Sequence, residues 1–435
     1  MRWTDYISRT IAGETSRIAR YYDRVIQWQP LAHDDGRLLE LIDCPIKETA
    51  AADGLPDLRG EADRRSIVLL NGNLNHDFDI QRLLTDCRSR LGRTARVIAV
   101  AYNPYLAWLY RLANQLGLRR APVPESFLTT TELTHLAHLS GFEFVRMRTC
   151  AYSPFRLLGL GSLVNRLLPA VPLLRWLAFG TIVVLRPIVP ETGRPSLSIV
   201  IPARNEAGNI ADGLRRIPDF HGADVEVLLV EGHSSDDTWG EIQRLVESGE
   251  FAHLNPRAFQ QAGKGKKDAV DLGFRSARHE LLTVLDADLT MPPEMLTRFY
   301  DAYRAGQADF VNGSRLVYPM ESGAMRFLNQ IGNIFFAKSL SWILSERLGD
   351  TLCGTKLFPR HDYRRFERWI EDFGDFDPFG DFQLLFPAAQ LALGIIDVPI
   401  RYRARAYGDT NISRFSHGLI LLRMSLRGLL KIRLG

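Results

Sequence analysis

Two carboxylates, Asp286 and Asp288, stand one residue apart after the apolar run Leu281-Leu282-Thr283-Val284-Leu285. Such a run reads as a buried strand, and alternate residues of an extended chain face the same way. At ~5 Å and an effective dielectric of ~20, the two charges repel by roughly 3 kcal/mol. A chain tolerates this at a strand end when a cation sits between the carboxylates or when one keeps its proton. A solvated turn is the competing reading for a bare pair, so the surrounding chain decides.

Three more stretches carry related chemistry. Leu197–Ile201 reads as a strand running into Pro202-Ala203-Arg204-Asn205-Glu206, and Val225–Val230 as one running into Glu231-Gly232-His233-Ser234-Ser235-Asp236. Carboxylates, hydroxyls and glycine beyond the carboxyl ends of neighbouring strands form the usual crevice site of an open α/β sheet. Gly263-Lys264-Gly265-Lys266-Lys267-Asp268 then opens a helix. Flexible backbone, ammonium groups and a helix N-terminus suit a diphosphate, although the spacing is not that of a Walker A loop.

The elements that position these residues follow from composition and pattern. The 435 residues are 46% hydrophobic and 24% charged, which describes a globular chain of two or three domains. A net charge of +4 gives no bulk argument for nucleic acid. Cys44, Cys87, Cys150 and Cys353 are scattered, which argues against a disulfide framework or structural zinc and suits a reducing compartment. Arg2, Asp5 and Arg9 leave no apolar signal region at the start. The most apolar window, Leu167–Leu185, is broken by Pro169, Pro172 and Arg175 and falls short of the ~20 apolar residues of a membrane span. The expectation is a cytoplasmic protein.

In the first half, residues 21–26 look helical, 37–42 like a short strand and 47–65 like a loop. From Ser66 strands at 66–70, 95–101, 142–147 and 182–185 alternate with helices at 79–91 and 106–116, and Thr129–Glu132 is a capping box opening a third. A layered α/β domain follows. Pro187, Pro190, Gly193 and Pro195 mark a boundary. The expected division is a domain over 1–187, a linker over 188–196 and a second domain over 197–435.

The order of motifs in the second half resembles the family 2 glycosyltransferases, and most of all the polyprenyl-phosphate sugar synthases similar to dolichyl-phosphate mannose synthase. The likeness spans residues 197–415. It rests on Ile201–Glu206, Val230–Asp236, Asp286-Ala287-Asp288, Asn312-Gly313-Ser314-Arg315, Asp350–Lys356 and Arg405–Asn411. Arg204 stands where Tyr is commoner, and Glu231 where Asp is usual. The resemblance implies a GT-A fold, a nucleotide-diphosphate sugar donor, and Mg²⁺ or Mn²⁺. Carried onto matching positions, Pro202, Arg204, Glu206, Glu231 and Ser234 line the nucleotide pocket; Lys264 and Asp268 belong to the glycine–lysine loop read above as suited to a diphosphate. Asp286 meets ribose or metal, and Asp288 holds the metal. The implied reaction is an inverting sugar transfer.

The acceptor sets the remaining needs. A phosphate acceptor is already anionic and needs positioning, for which Arg315, Lys356, Arg401, Arg403, Arg405 and Arg414 are candidates. Arg401, Arg403 and Arg405 alternate, as three guanidiniums on one side of a strand would. A hydroxyl acceptor needs a base, for which Asp381 in Pro378–Phe382 is the candidate; capping the following helix is its other reading. From His417 to Leu434, Leu419, Leu422, Leu426 and Leu430 recur at helical spacing beside Arg423, Arg427 and Lys431. That helix either lies on an anionic membrane surface or packs as core. Ala324–Leu344 reads as a helix that covers an acceptor groove or is core.

Residues 62–187 resemble the C-terminal portion of class I S-adenosylmethionine-dependent methyltransferases, through Ser66–Leu70, Leu139–Glu143 and Val183–Pro187. The segment expected to hold the glycine-rich cofactor loop, Leu39–Pro45, has no glycine, and no strand is expected between it and Ser66. A degenerate, non-binding remnant is therefore expected. Two other functions stand beside polyprenyl-phosphate glycosylation: transfer to a hydroxyl of a glycan or small molecule, and a non-catalytic scaffold.

Overall fold

The computed structural model describes residues 3–61, 64–117, 119, 121–319, 327–374, 377, 379–405 and 414–434. Residues 324–326, Pro378 and 406–413, which figure in the motifs above, lie outside that set. The chain divides into two compact units, Met1–Val189 with 390–392 and 433–435, and Pro190–Ala389 with 393–432.

The first unit holds a six-stranded mixed sheet. Its strands are β1 (Arg24–Trp28), β2 (Ile46–Ala50), β3 (Ser66–Asn71), β4 (Arg96–Tyr102), β5 (Phe142–Cys150) and β6 (Gly180–Pro187), in the order β2-β1-β3-β4-β6-β5. The first four run parallel, and β6 lies antiparallel between β4 and β5. Alternation divides the apolar side chains between two faces. Ile26, Val68, Leu70, Val97 and Ala99 pack with one cluster, and Val25, Ile67, Leu69, Ile98 and Val100 with the other. The capping box holds: Thr129 accepts from the Glu132 amide, and Glu132 accepts from the Thr129 amide.

The first 60 residues depart from expectation in three places. Arg24–Trp28 is a strand rather than a helix: its five residues, Arg24 and Gln27 among them, are all buried in the sheet interior, so there is no alternation of exposed and buried positions to read. Arg37–Leu41 is a helix entered through Gly36 at φ 71°, too short for its spacing to show. Ile46–Ala50 is an edge strand with four exposed residues, which gave it the polarity of a loop. The loop after the first strand is thus 29–36, not 39–45, and a strand does precede Ser66. Both premises of the remnant reading are corrected.

The second unit is built on a seven-stranded sheet. Its strands are β7 (Leu197–Ala203), β8 (Val225–Glu231), β9 (Pro256–Gln260), β10 (Leu281–Val284), β11 (Phe310–Ser314), β12 (Lys356–Pro359) and β13 (Ile395–Pro399), in the order β13-β11-β12-β10-β7-β8-β9. β10, β7, β8 and β9 are parallel, so their carboxyl ends share one edge. β12 runs antiparallel between β10 and β11, which brings its first residue, Lys356, to the same edge. The chain past β13 is not a strand, contrary to the alternation of Arg401–Arg405; Arg401 and Arg403 are exposed. Helix Lys266–Ser276 packs hard on the sheet: a Cβ on Gly273 would sit 2.3 Å from a methyl of Val200.

Candidate active site

The carboxyl ends of β7, β8 and β10 and the start of helix Lys266–Ser276 converge on a chain of alternating charges. Asp286 and Asp288 lie just past β10, each taken by its own cation. Lys266, the first helical residue, places its Nζ 2.5 Å from Asp286 Oδ1. Arg405 donates to Asp288 Oδ2 at 2.7 Å and, from its other terminal nitrogen, to Glu206 Oε1 at 2.8 Å. Asp288 Oδ1 accepts from the amide and hydroxyl of Thr290, which sets its rotamer. Burial pushes the Asp286 carboxyl up, but Lys266 and then Lys356 and Arg315 hold it below the usual carboxylate range. Burial works against the Lys266 ammonium too, yet Asp286 and then Asp381 raise it above an ordinary lysine.

Glycine makes the first pair possible. A Cβ on Gly354 would lie 2.3 Å from Lys266 Nζ and 2.5 Å from Asp286 Oδ2, so any side chain there pushes the two apart. The loop carrying Gly354 is anchored beneath. Asp350, 0% exposed, receives two guanidinium bonds from Arg315 at 2.7 and 2.9 Å and the Arg315 amide at 3.1 Å. Burial raises the Asp350 carboxyl, but Arg315 brings it below the usual range. Lys356, also 0% exposed, donates to the Cys353 carbonyl and to Asp381 Oδ1 at 3.0 Å. Arg315 and Lys356, expected to touch a phosphate, therefore spend their donors on protein carboxylates and a carbonyl. Asp381 is not the cap of its helix: the buried Asp377 accepts from the Phe382 and Gln383 amides and takes that role. Arg414 lies at the start of helix Arg414–Gly428.

The other expected residues lie along the same edge. Ala203 pairs with Glu231 across β7 and β8, with Pro202 half-buried and Arg204 exposed beside them. Glu231 accepts from the Ser234 amide at 2.5 Å and from Gln260 at 3.2 Å; burial opposes its charge, but these bonds prevail and lower its pKa. Ser234 Oγ accepts from the Asn205 amide, tying the two loops together. Burial raises Glu206 above the usual carboxylate range against the pull of Asn209 and Arg405. His233 joins the Gly263 carbonyl at 2.9 Å, and Asp268 accepts from the Gly263 amide at 3.0 Å, so the glycine–lysine loop is held from both sides. Lys264 is exposed at its tip.

Lys266 and Asp350 were missed as partners. Lys266 lies in the glycine–lysine loop, but nothing in spacing tells which of three lysines faces the aspartates. Among the described residues no three His, Cys, Asp or Glu side chains form a ready metal cage. Two carboxylates nonetheless match what Mg²⁺ or Mn²⁺ takes from a protein when substrate phosphates and water supply the rest. The donor set fits such an ion once Lys266 and Arg405 exchange partners.

The pattern of Glycosyl transferase family 2 matches residues 198–367. The dolichyl-phosphate hexose transferase of Haloferax volcanii is 31% identical over 222 residues, covering 51% of this chain and 89% of that protein. The dolichol-phosphate mannosyltransferase of Pyrococcus furiosus is 34% identical over 122 residues, 28% of this chain and 33% of that one. A solved glucosyl-3-phosphoglycerate synthase of Mycobacterium tuberculosis, with Mn²⁺, uridine diphosphate and glucosyl-3-phosphoglycerate, is 17% identical with a TM-score of 0.38, covering 55% of this chain and 80% of that one. The second unit has a GT-A-like glycosyltransferase fold with a mixed sheet. With the family pattern across its parallel strands and 31% identity over most of the Haloferax volcanii enzyme, the chain belongs to glycosyltransferase family 2.

Proposed function

We propose that the second unit moves a sugar from a nucleoside-diphosphate sugar to a polyprenyl phosphate at a membrane surface, with inversion at the sugar carbon. One observation carries the choice of acceptor. Asp381, the candidate base for a hydroxyl, gives an oxygen to the buried Lys356 ammonium at 3.0 Å. A carboxylate committed to an ammonium is a poor proton acceptor, whereas an acceptor phosphate arrives already charged. The named activities of the Haloferax volcanii and Pyrococcus furiosus relatives point the same way.

The alternating charges support a partner exchange on donor binding. Asp286 and Asp288 would hold Mg²⁺ or Mn²⁺, which when bound offsets negative charge on the leaving diphosphate. Lys266 and Arg405, released from those carboxylates, turn to the diphosphate oxygens, where their charge counts most as the sugar bond breaks. Glu206, Glu231 and Ser234 hold the nucleoside end, flanked by Pro202 and Arg204, with Lys264 and Asp268 shaping the diphosphate loop. Arg315 and Lys356 act as positioning residues beneath.

Membrane contact finds support in two helices of this unit. Phe327–Leu344 packs against Arg414–Gly428. Ile331, Phe335, Leu422 and Leu426 stay exposed, with Arg423 and Arg427 exposed beside them. No helix among the described residues is long and apolar enough to cross a membrane. The fitting mode is contact with the surface.

For the first unit the proposal remains a methyltransferase-like fold that does not bind the cofactor. Its loop 29–36 is tied to the ends of β1 and β3: Asp34 Oδ2 accepts from Gln27 and Asn71, and Oδ1 from the Gly36 amide. Titration with S-adenosylmethionine should give no micromolar binding. The acceptor reading is tested by offering polyprenyl phosphate and the matching polyprenol to the wild type and to Asp381→Asn. Product on the phosphate alone, retained in the variant, is expected; product on the alcohol, lost in the variant, would restore Asp381 as a base.

A further inference from the structure

The first unit carries an exposed apolar surface that neither its core nor the sugar-transfer site uses. Helix Ala107–Gln115 leaves Trp108 62% exposed, with Leu112 and Leu116 one and two turns on along the same face. Helix Leu160–Leu167 does the same with Leu160, Leu163 and Leu167. The turn Pro172–Leu177 adds Leu173, Trp176 and Leu177, all at least half exposed.

These pieces form one scaffold. Pro172–Leu177 packs against Pro104–Leu106 at the head of the first helix and against Leu168–Ala170 at the end of the second. The buried Asn103 side chain donates to the carbonyls of Arg175, Trp176 and Ala178 at 3.1, 3.2 and 2.8 Å. Asn165 holds the turn before the second helix, accepting from the Ser153 amide at 2.8 Å and donating to its carbonyl at 3.0 Å. In that turn Leu157 and Leu158 adopt left-handed backbone, at φ 44° and 53°. Leu158 is fully exposed. Leucine in that region is strained, and here the strain presents its side chain to solvent.

Charge selects the occupant. From Asn103 to Pro124 and from Phe144 to Pro190 the sequence has no aspartate or glutamate. Arg111, Arg156, Arg166 and Arg175 in these stretches are all exposed. Tryptophan and arginine also mark protein interfaces, so the sign of charge decides: exposed arginines in stretches that carry no acid are drawn to an anionic surface. Leucines, two tryptophans and these arginines match the boundary between acyl chains and anionic headgroups, where indole rings settle and guanidiniums meet phosphates.

We propose that this face is a bilayer-docking surface of the first unit, resting on membranes rich in anionic phospholipid. It stands on its own residues and does not depend on the acceptor chosen by the second unit.

The test uses the full chain and vesicles of brominated phosphatidylcholine, alone or with an equal part of phosphatidylglycerol. Anionic vesicles should bind the protein and quench its tryptophan emission. Trp108→Ser with Trp176→Ser should raise the lipid concentration needed for sedimentation by roughly a hundredfold, the scale for withdrawing two large apolar side chains. Leu422→Gln with Leu426→Gln, in the second unit, serves as the comparison. Unchanged lipid binding in the tryptophan variant would overturn the proposal. So would self-association of the wild type that this variant abolishes, because the face would then cover a second copy. Transfer to a detergent-dispersed acceptor reports on the second unit separately.

Discussion

Replacing Arg315 by alanine distinguishes a structural ion pair from a substrate contact. Asp350 is fully buried, and Arg315 supplies both of its guanidinium bonds. With the guanidinium gone, the carboxyl must stay charged in a dry site or take up a proton. Removing one partner of a buried pair costs about 3–5 kcal/mol. Protonation sets a ceiling: from an ordinary value of ~3.9, neutralising the carboxyl costs about 4 kcal/mol at pH 7 and about 1.5 kcal/mol at pH 5. The sign follows from linkage. In the wild type Asp350 lies below its ordinary value, so the stability it contributes is present above ~3.9 and is lost only as pH falls below that. In the variant its pKa is raised, so the penalty shrinks as pH falls. Urea denaturation of the wild type, Arg315→Ala and Arg315→Ala with Asp350→Asn at pH 7 and pH 5 measures this. The single variant should lose about 3–4 kcal/mol at pH 7 and less than half of that at pH 5, and Asp350→Asn should restore much of it. A loss under about 1 kcal/mol at pH 7, with sugar transfer abolished, would refute the structural role and return Arg315 to the substrate.

Three further outcomes follow. Glu226 is fully buried and accepts from the Arg278 amide, Ser198 and Arg257; burial opposes its charge, but these bonds lower its pKa. Glu226→Gln should therefore destabilise the protein at pH 7, with the difference from wild type closing as pH falls below ~4; thermal unfolding across pH reads it, and a constant difference would contradict it. Arg405→Ala removes the guanidinium that occupies Asp288. Calorimetry without nucleotide should show Mn²⁺ binding strengthened by about fivefold, the scale of a partly exposed pair, and weaker binding would contradict competition for that carboxylate. Gly354→Ala should slow sugar transfer by at least ~10-fold, since about 1.4 kcal/mol lost from the transition state is enough. A melting temperature near that of the wild type should accompany it, and full activity would show that the Lys266–Asp286 pair tolerates a Cβ.

Much of the site edge was legible because each piece announces itself locally. An apolar run followed by polar residues marks a strand end, and glycine with lysine before a helical pattern marks its start. What stayed hidden depends on partners distant in sequence. Arg405 lies 117 residues from Asp288, and its separation from Arg401 and Arg403 comes from backbone that does not continue β13. Asp377 precedes and Asp381 opens the same helix, and the sequence alone does not say which carboxylate turns back to the amides and which reaches Lys356. In the first unit, β1 is buried on both faces and β2 exposed at an edge, the two settings in which a strand loses its alternating signature.

The central claim is that Asp286 and Asp288 head a sugar-transfer site. It is tested most directly by incubating the wild type and Asp288→Ala with a panel of UDP- and GDP-sugars, Mg²⁺ or Mn²⁺ and polyprenyl phosphate, and following free nucleotide together with glycosylated lipid. Release of nucleotide should equal formation of lipid-linked sugar with at least one donor, and neither should occur in a folded Asp288→Ala protein. Full activity in that variant, or no turnover or binding with any donor in the wild type, would contradict it.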